Sequence, residues 1–149
     1  MGILIGIWAV IVGLIDVATA RIPNVAIVIG LLLVLTVLAM DGHGWHEARL
    51  VSCGIGFLLG GLIPLSGYLA GALGAGDVKF SAVLGLFLGM AGVLWMLLAA
   101  ALLMGIVSLV YVLRLRVGQR AMQYRIPAGP ALSLGTLFVL FDGPTAVFA

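Results

Sequence analysis

The sequence predicts an all-α, polytopic membrane protein with about six transmembrane helices. Three observations lead there. Of 149 residues, 64% are hydrophobic and only 8% charged, against about a quarter charged in an ordinary soluble domain. The apolar residues fall into long runs separated by short polar or Gly/Pro-containing turns. When each run is counted as a crossing, the basic residues collect on one side of the membrane.

Residues 3–18 are apolar except for Asp16, and lead into Thr19, Arg21, Pro23 and Asn24. At 1.5 Å per residue this run is short for a hydrocarbon core of about 30 Å and spans it with local thinning. Ala18-Thr19-Ala20 imitates a signal-peptide cleavage site. No Lys or Arg precedes the apolar run, however, and Asp16 lies just before the supposed site, so a retained first helix is expected. A second run, 25–40, follows the turn Ile22-Pro23-Asn24. A short polar loop from Asp41 to Arg49 precedes a third helix from about Leu50 to Tyr68, which has several glycines and Pro64 near its end. Glycine lets neighbouring membrane helices pack closely.

Next comes Gly74-Ala75-Gly76-Asp77-Val78-Lys79, a carboxylate and an ammonium beside glycines between long apolar segments. Ionisable residues there are costly near hydrocarbon and mark a functional site by default. The glycines admit unusual backbone angles and close approach of another chain. If a helix begins after Gly76, Asp77 sits at or near its N-cap, where backbone N–H groups and the helix dipole favour negative charge. The plainer alternative is a Gly-rich turn with a capping Asp and a snorkelling Lys.

From Val78 to Leu113 the chain is almost uninterruptedly apolar. As one helix it would reach about 54 Å, far beyond the hydrocarbon core. Two shorter helices fit better, with the turn near Gly89-Met90-Ala91-Gly92. Residues 114–127 carry Arg114, Arg116, Arg120 and Arg125, and a last apolar run, 128–141, is entered through Pro127-Ala128-Gly129-Pro130. With no polar stretch long enough for a separate soluble domain, residues 1–149 are expected to form a single transmembrane domain.

Six crossings put Arg21, Lys79 and the four arginines of 114–127 on one face, leaving Arg49 with Asp41, Glu47 and Asp142 on the other. The positive-inside rule then places the basic face in the cytoplasm and both termini outside. Asp16 and Asp77 fall on the cytoplasmic side. A single long helix over 78–113 would send the arginine-rich loop outside, against the charge bias.

The net charge of +2 is too small to suggest nucleic-acid binding. Cys53 is the only cysteine, which excludes an intrachain disulfide and a Cys-based zinc site. His43 and His46 share a loop with Asp41 and Glu47, but no further His or Cys completes a metal set, so a wet polar loop is expected. No metal and no cofactor is expected.

Two carboxylates held together resist double ionisation, and the proton they share makes an acid and a base of one pair. Such a dyad activates water against a peptide carbonyl and protonates the leaving amine. The same two aspartates also suit a small transporter or proton pathway. A purely structural reading pairs Asp16 with Arg21 and Asp77 with Lys79.

Asp16-Val-Ala-Thr-Ala-Arg21-Ile-Pro23-Asn24 followed by Gly74-Ala-Gly76-Asp77-Val-Lys79 resembles the type IV prepilin peptidases, which are membrane aspartic proteases. Ile126-Pro127-Ala128-Gly129-Pro130-Ala131 is similar to the Pro-containing entry to that family's last helix. The resemblance implies that Asp16 and Asp77 are the catalytic pair. It also implies a prepilin substrate, cut in its leader just after a glycine at the cytoplasmic face of the inner membrane. Gly74, Gly76, Lys79, Arg21, Pro23 and Asn24 belong to the same motifs as supporting residues. Lys79 is expected either to orient a carboxylate or to snorkel, and Arg21 and Asn24 to fix the turn after the first helix. The basic 114–125 stretch is expected to anchor on anionic membrane lipid. The larger family members carry a cysteine-rich insert and methylate the new N-terminus; this chain has no such insert. Its short form resembles the peptidase-only enzymes of Tad (Flp) pilus systems, with the archaeal preflagellin peptidases as the other short branch.

Overall fold

A computed structural model describes residues 2–19, 21–45, 48–115 and 128–142. The described residues form five helices and no strand: α1 (Gly2–Thr19), α2 (Asn24–Asp41), α3 (Leu50–Leu69), α4 (Ala75–Leu115) and α5 (Gly129–Asp142). The first four are long and apolar enough to cross a membrane, and α5 is a shorter apolar helix.

The expected division of the long apolar run is present. α4 breaks at Gly89, whose φ of 72° and ψ of −177° are not helical. A positive φ is a conformation that glycine reaches without the steric penalty of a Cβ. Beyond the break the chain turns back. A Cβ on Gly85 would stand 3.0 Å from Val93 Cγ2, although eight residues of straight helix advance about 12 Å. Farther along, the carbonyl of Met96 lies against Gly135 in the middle of α5, 2.6 Å from where a Cβ would stand. The interruption costs Met90 its helical acceptor, and α3 supplies a replacement: Met90 N–H donates to Ser52 Oγ at 3.1 Å. Among the described residues the break divides α4 into two helical segments, in keeping with the expected count of about six.

The first segment of α4 packs on α3 through small residues. Gly56 and Gly60, one turn apart, face Gly85 and Ser81; a Cβ on Gly60 would stand 2.5 Å from the Ser81 carbonyl oxygen, and one on Gly56 would press on the Gly85 carbonyl. Close backbone approach of this kind drives helix association in lipid, where burial of apolar surface contributes little. Trp8 joins α1 to two other elements. Its ring meets Phe80 of α4 edge-to-face at 5.3 Å, its indole N–H donates to the Ala26 carbonyl of α2 at 3.0 Å, and it lies over Gly30. Outward positions such as Leu14, Val25, Leu62 and Leu102 are apolar and exposed, the pattern expected of helices facing lipid rather than water.

These contacts define two ends. At one, Trp45 covers Gly2 and packs against Phe87, while Gly44 touches Cys53 and Phe87. The start of α1, the loop residues Gly44 and Trp45 and the Gly89 turn therefore lie together, with Asp41 and Arg49. At the other end lie the α1–α2 turn and the start of α4, with Asp16, Arg21, Asp77 and Lys79. The predicted grouping of these charges by face is thus present in the fold. Arg116, Arg120, Arg125, His46 and Glu47 lie outside the described residues.

Candidate active site

Asp16 sits three residues before the end of α1 and is 4% exposed; Asp77 is 8% exposed. A buried carboxylate needs hydrogen bonds in place of water, and each aspartate finds one at the start of a helix. Asp16 Oδ2 accepts the N–H of Gly129, the first residue of α5, at 2.9 Å. Asp77 Oδ2 accepts the N–H of Gly74 at 2.9 Å. The first N–H groups of a helix have no partner within it and carry the positive end of its dipole, so both carboxylates occupy favourable places.

Asp77 is near the N-cap rather than at it, because the helix does not begin after Gly76. The helix starts at Ala75, and Gly74 precedes it as the capping residue. From the third helical position the carboxylate reaches back to the Gly74 N–H, one half of a capping box. In return the Gly74 carbonyl accepts the Asp77 and Val78 N–H groups at 3.1 and 3.4 Å.

The two carboxylates line one cavity of about 330 Å³. Its remaining wall comes from the α1–α2 turn, through Arg21, Ile22 and Asn24, and from the first residues of α4 with Lys79. A model of the type IV leader peptidase family matches residues 3–109, the span that holds both aspartates. The chain belongs to the type IV leader peptidase family. Membership makes it a protease, with a prepilin as the general class of substrate. No curated protein and no solved structure matches the chain.

In this leader peptidase the supporting residues have distinct tasks. A Cβ on Gly76 would stand 2.9 Å from Ile22 Cβ, so glycine lets the start of α4 approach the α1–α2 turn. Neither Gly74 nor Gly76 has a positive φ; close approach, not an unusual backbone angle, is what Gly76 provides. Pro23, at φ −68° and ψ 138°, is the N-cap of α2, and its carbonyl accepts the Ala26 N–H at 3.0 Å. Lys79 Nζ donates to Asn24 Oδ1 at 3.1 Å, tying α4 to the start of α2. Arg21 is exposed at the cavity, and its carbonyl lies 2.8 Å from the Thr19 hydroxyl. The hydrogen bond seen on Asp16 goes to Gly129, not to Arg21 as the structural pairing would have it.

Gly129 is the site residue that the sequence did not single out. A Cβ there would stand 2.7 Å from Asp16 Oδ2 and 2.8 Å from Asp16 Cβ, so α5 reaches this aspartate only because residue 129 lacks a side chain. One turn on, Ser133 Oγ donates to the Ala9 carbonyl at 2.6 Å and lies 2.9 Å from the Gly129 carbonyl, holding α5 against α1. The Pro-Ala-Gly-Pro entry signals a helix start, but nothing in it names a partner 113 residues away.

Proposed function

We propose that this protein is an aspartic endopeptidase that removes the leader of Flp-like (Tad-type) prepilins, with Asp16 and Asp77 as its catalytic pair. The observation that carries the reading is the single cavity into which both buried carboxylates open, at the end of the bundle that also bears Arg21 and Lys79. By the positive-inside rule that end faces the cytoplasm, so the cleaved bond lies at the cytoplasmic face of the inner membrane. There a precursor's leader meets its apolar helix.

In this mechanism one carboxylate takes a proton from water as the water oxygen bonds to the scissile carbonyl carbon. The other, holding the shared proton, gives it to the carbonyl oxygen. Collapse of the tetrahedral intermediate breaks the C–N bond. The proton first taken from water leaves on the amine, the other carboxylate takes back a hydroxyl proton from the collapsing diol as the carboxyl C=O re-forms, and the pair returns to its starting protonation state. Gly129 and Gly74 keep the carboxylates oriented, and Lys79 with Asn24 holds the cavity wall between α2 and α4. A transporter built on the same aspartates would instead need access from both sides of the membrane.

The test uses purified protein in detergent with a full-length precursor carrying its leader, read by mass. A single cut after the leader glycine, lost in both Asp16→Asn and Asp77→Asn, is the expected result. A folded wild-type protein that leaves the precursor intact would refute the assignment, and proton flux in proteoliposomes would then be the next assay.

A further inference from the structure

Ser81 lies one turn beyond Asp77 in α4, is completely buried, and its hydroxyl has no hydrogen-bond partner among the described residues. A bare hydroxyl is costly in an apolar interior. In a helix the common remedy is donation to the carbonyl one turn back. Thr19, Thr36 and Thr136 all do this, at 2.8 Å. Ser133 offers the closest parallel, because it stands one turn after Gly129, the partner of Asp16, as Ser81 stands one turn after Asp77. Its hydroxyl is fully used, bridging Ala9 and Gly129. Ser81 breaks this pattern at a position where alanine would fill the space without any cost of desolvation.

Its place indicates what the hydroxyl serves. Residues four apart share a helix face, with side chains near enough to interact. Ser81 therefore shares a face of α4 with Asp77, one turn farther from the helix start. The Ser81 backbone is fixed by the tight seam with Gly60, so the residue has little freedom to move away. We propose that Ser81 is a positioning residue for Asp77: on substrate binding its hydroxyl donates to the carboxylate, directly or through one water. Gly74 N–H then holds Asp77 from the helix start and Ser81 holds it from one turn below. The inference rests on Asp77 being catalytic.

Ser81→Ala tests it in the full-length enzyme, with Ser81→Thr as the variant that keeps the hydroxyl and Asp77→Asn measured alongside. The expected result for Ser81→Ala is unchanged or raised thermal stability, because a buried unpartnered hydroxyl is removed. Its kcat falls about tenfold, as for a displaced catalytic group, with KM unchanged, and Ser81→Thr recovers at least part of the loss. A wild-type kcat in Ser81→Ala, beside an inactive Asp77→Asn, would overturn the role of Ser81 alone. A wild-type rate in Asp77→Asn would overturn the reading of Asp77 and this inference with it. Should Ser81→Ala fail to fold, Ser81→Cys, similar in size and a weaker donor, takes its place with the same two outcomes.

Discussion

The two aspartates are held by the same kind of bond in opposite ways. Asp77 is anchored locally: its carboxylate returns to Gly74, three residues earlier, within a helix start of its own making. Asp16 is anchored globally, by the N–H of a residue 113 positions away at the start of the last helix. A local anchor forms whenever α4 forms. A global one exists only when α1 and α5 have docked, through contacts such as Ser133 on Ala9. One half of the site thus depends on local sequence and the other on the assembled bundle.

Substitutions at the anchors turn that contrast into measurements. The largest effect is expected at Gly129. Gly129→Val places a branched side chain where even a Cβ would meet Asp16 at 2.7 Å. Either Asp16 or the start of α5 must shift, and a misplacement of about 1 Å lowers kcat roughly 100-fold. Steady-state cleavage with a circular-dichroism control for helix content measures it. Wild-type kcat in this variant would remove Asp16 from the account. Gly76→Ala comes next, because the new methyl would stand 2.9 Å from Ile22 Cβ and push the α1–α2 turn away from α4. About a tenfold loss of cleavage is expected, with destabilisation of about 1–3 kcal/mol as for other overpacked contacts, read as a lower melting temperature.

Gly74→Ala sharpens the contrast. The backbone there is not in the left-handed region, and the nearest atom to a new Cβ is Asp77's own Oδ2, at 3.1 Å. The local anchor should tolerate the methyl with only a few-fold loss, far less than at Gly129. Equal losses at positions 74 and 129 would erase the distinction between local and global anchoring. The smallest effect is expected from Lys79→Met. Its bond to Asn24 is exposed and screened by solvent, so stability should fall slightly and Asn24→Ala should add nothing further in a double-mutant cycle.

The same contrast explains what the sequence reveals. Helix existence follows from apolar runs, and the break in α4 follows from length alone, since no bilayer accommodates about 54 Å of straight helix. The position of the turn was legible because Gly89 is one of the few residues able to adopt it. Asp77 was legible because its carboxylate and glycines are contiguous in the chain. Gly129 was not, because the reason for glycine there is Asp16, and no local pattern links the two. Ser81 was hidden for a related cause: a serine in an apolar run is unremarkable until its hydroxyl is seen to lack, among the described residues, the partner that other helical hydroxyls have. The family match ends at residue 109 and so stops short of Gly129 as well.

Asp16 and Asp77, reached by different routes through the fold, are proposed to act as one unit. Single-turnover cleavage of a full-length precursor by Asp16→Asn, Asp77→Asn and the double variant tests it most directly. Each single substitution is expected to slow cleavage by at least about 100-fold, and the double variant by no more than the worse single one, as for groups sharing one step. Losses that multiply, or a single variant that cleaves at the wild-type rate, would contradict a shared dyad.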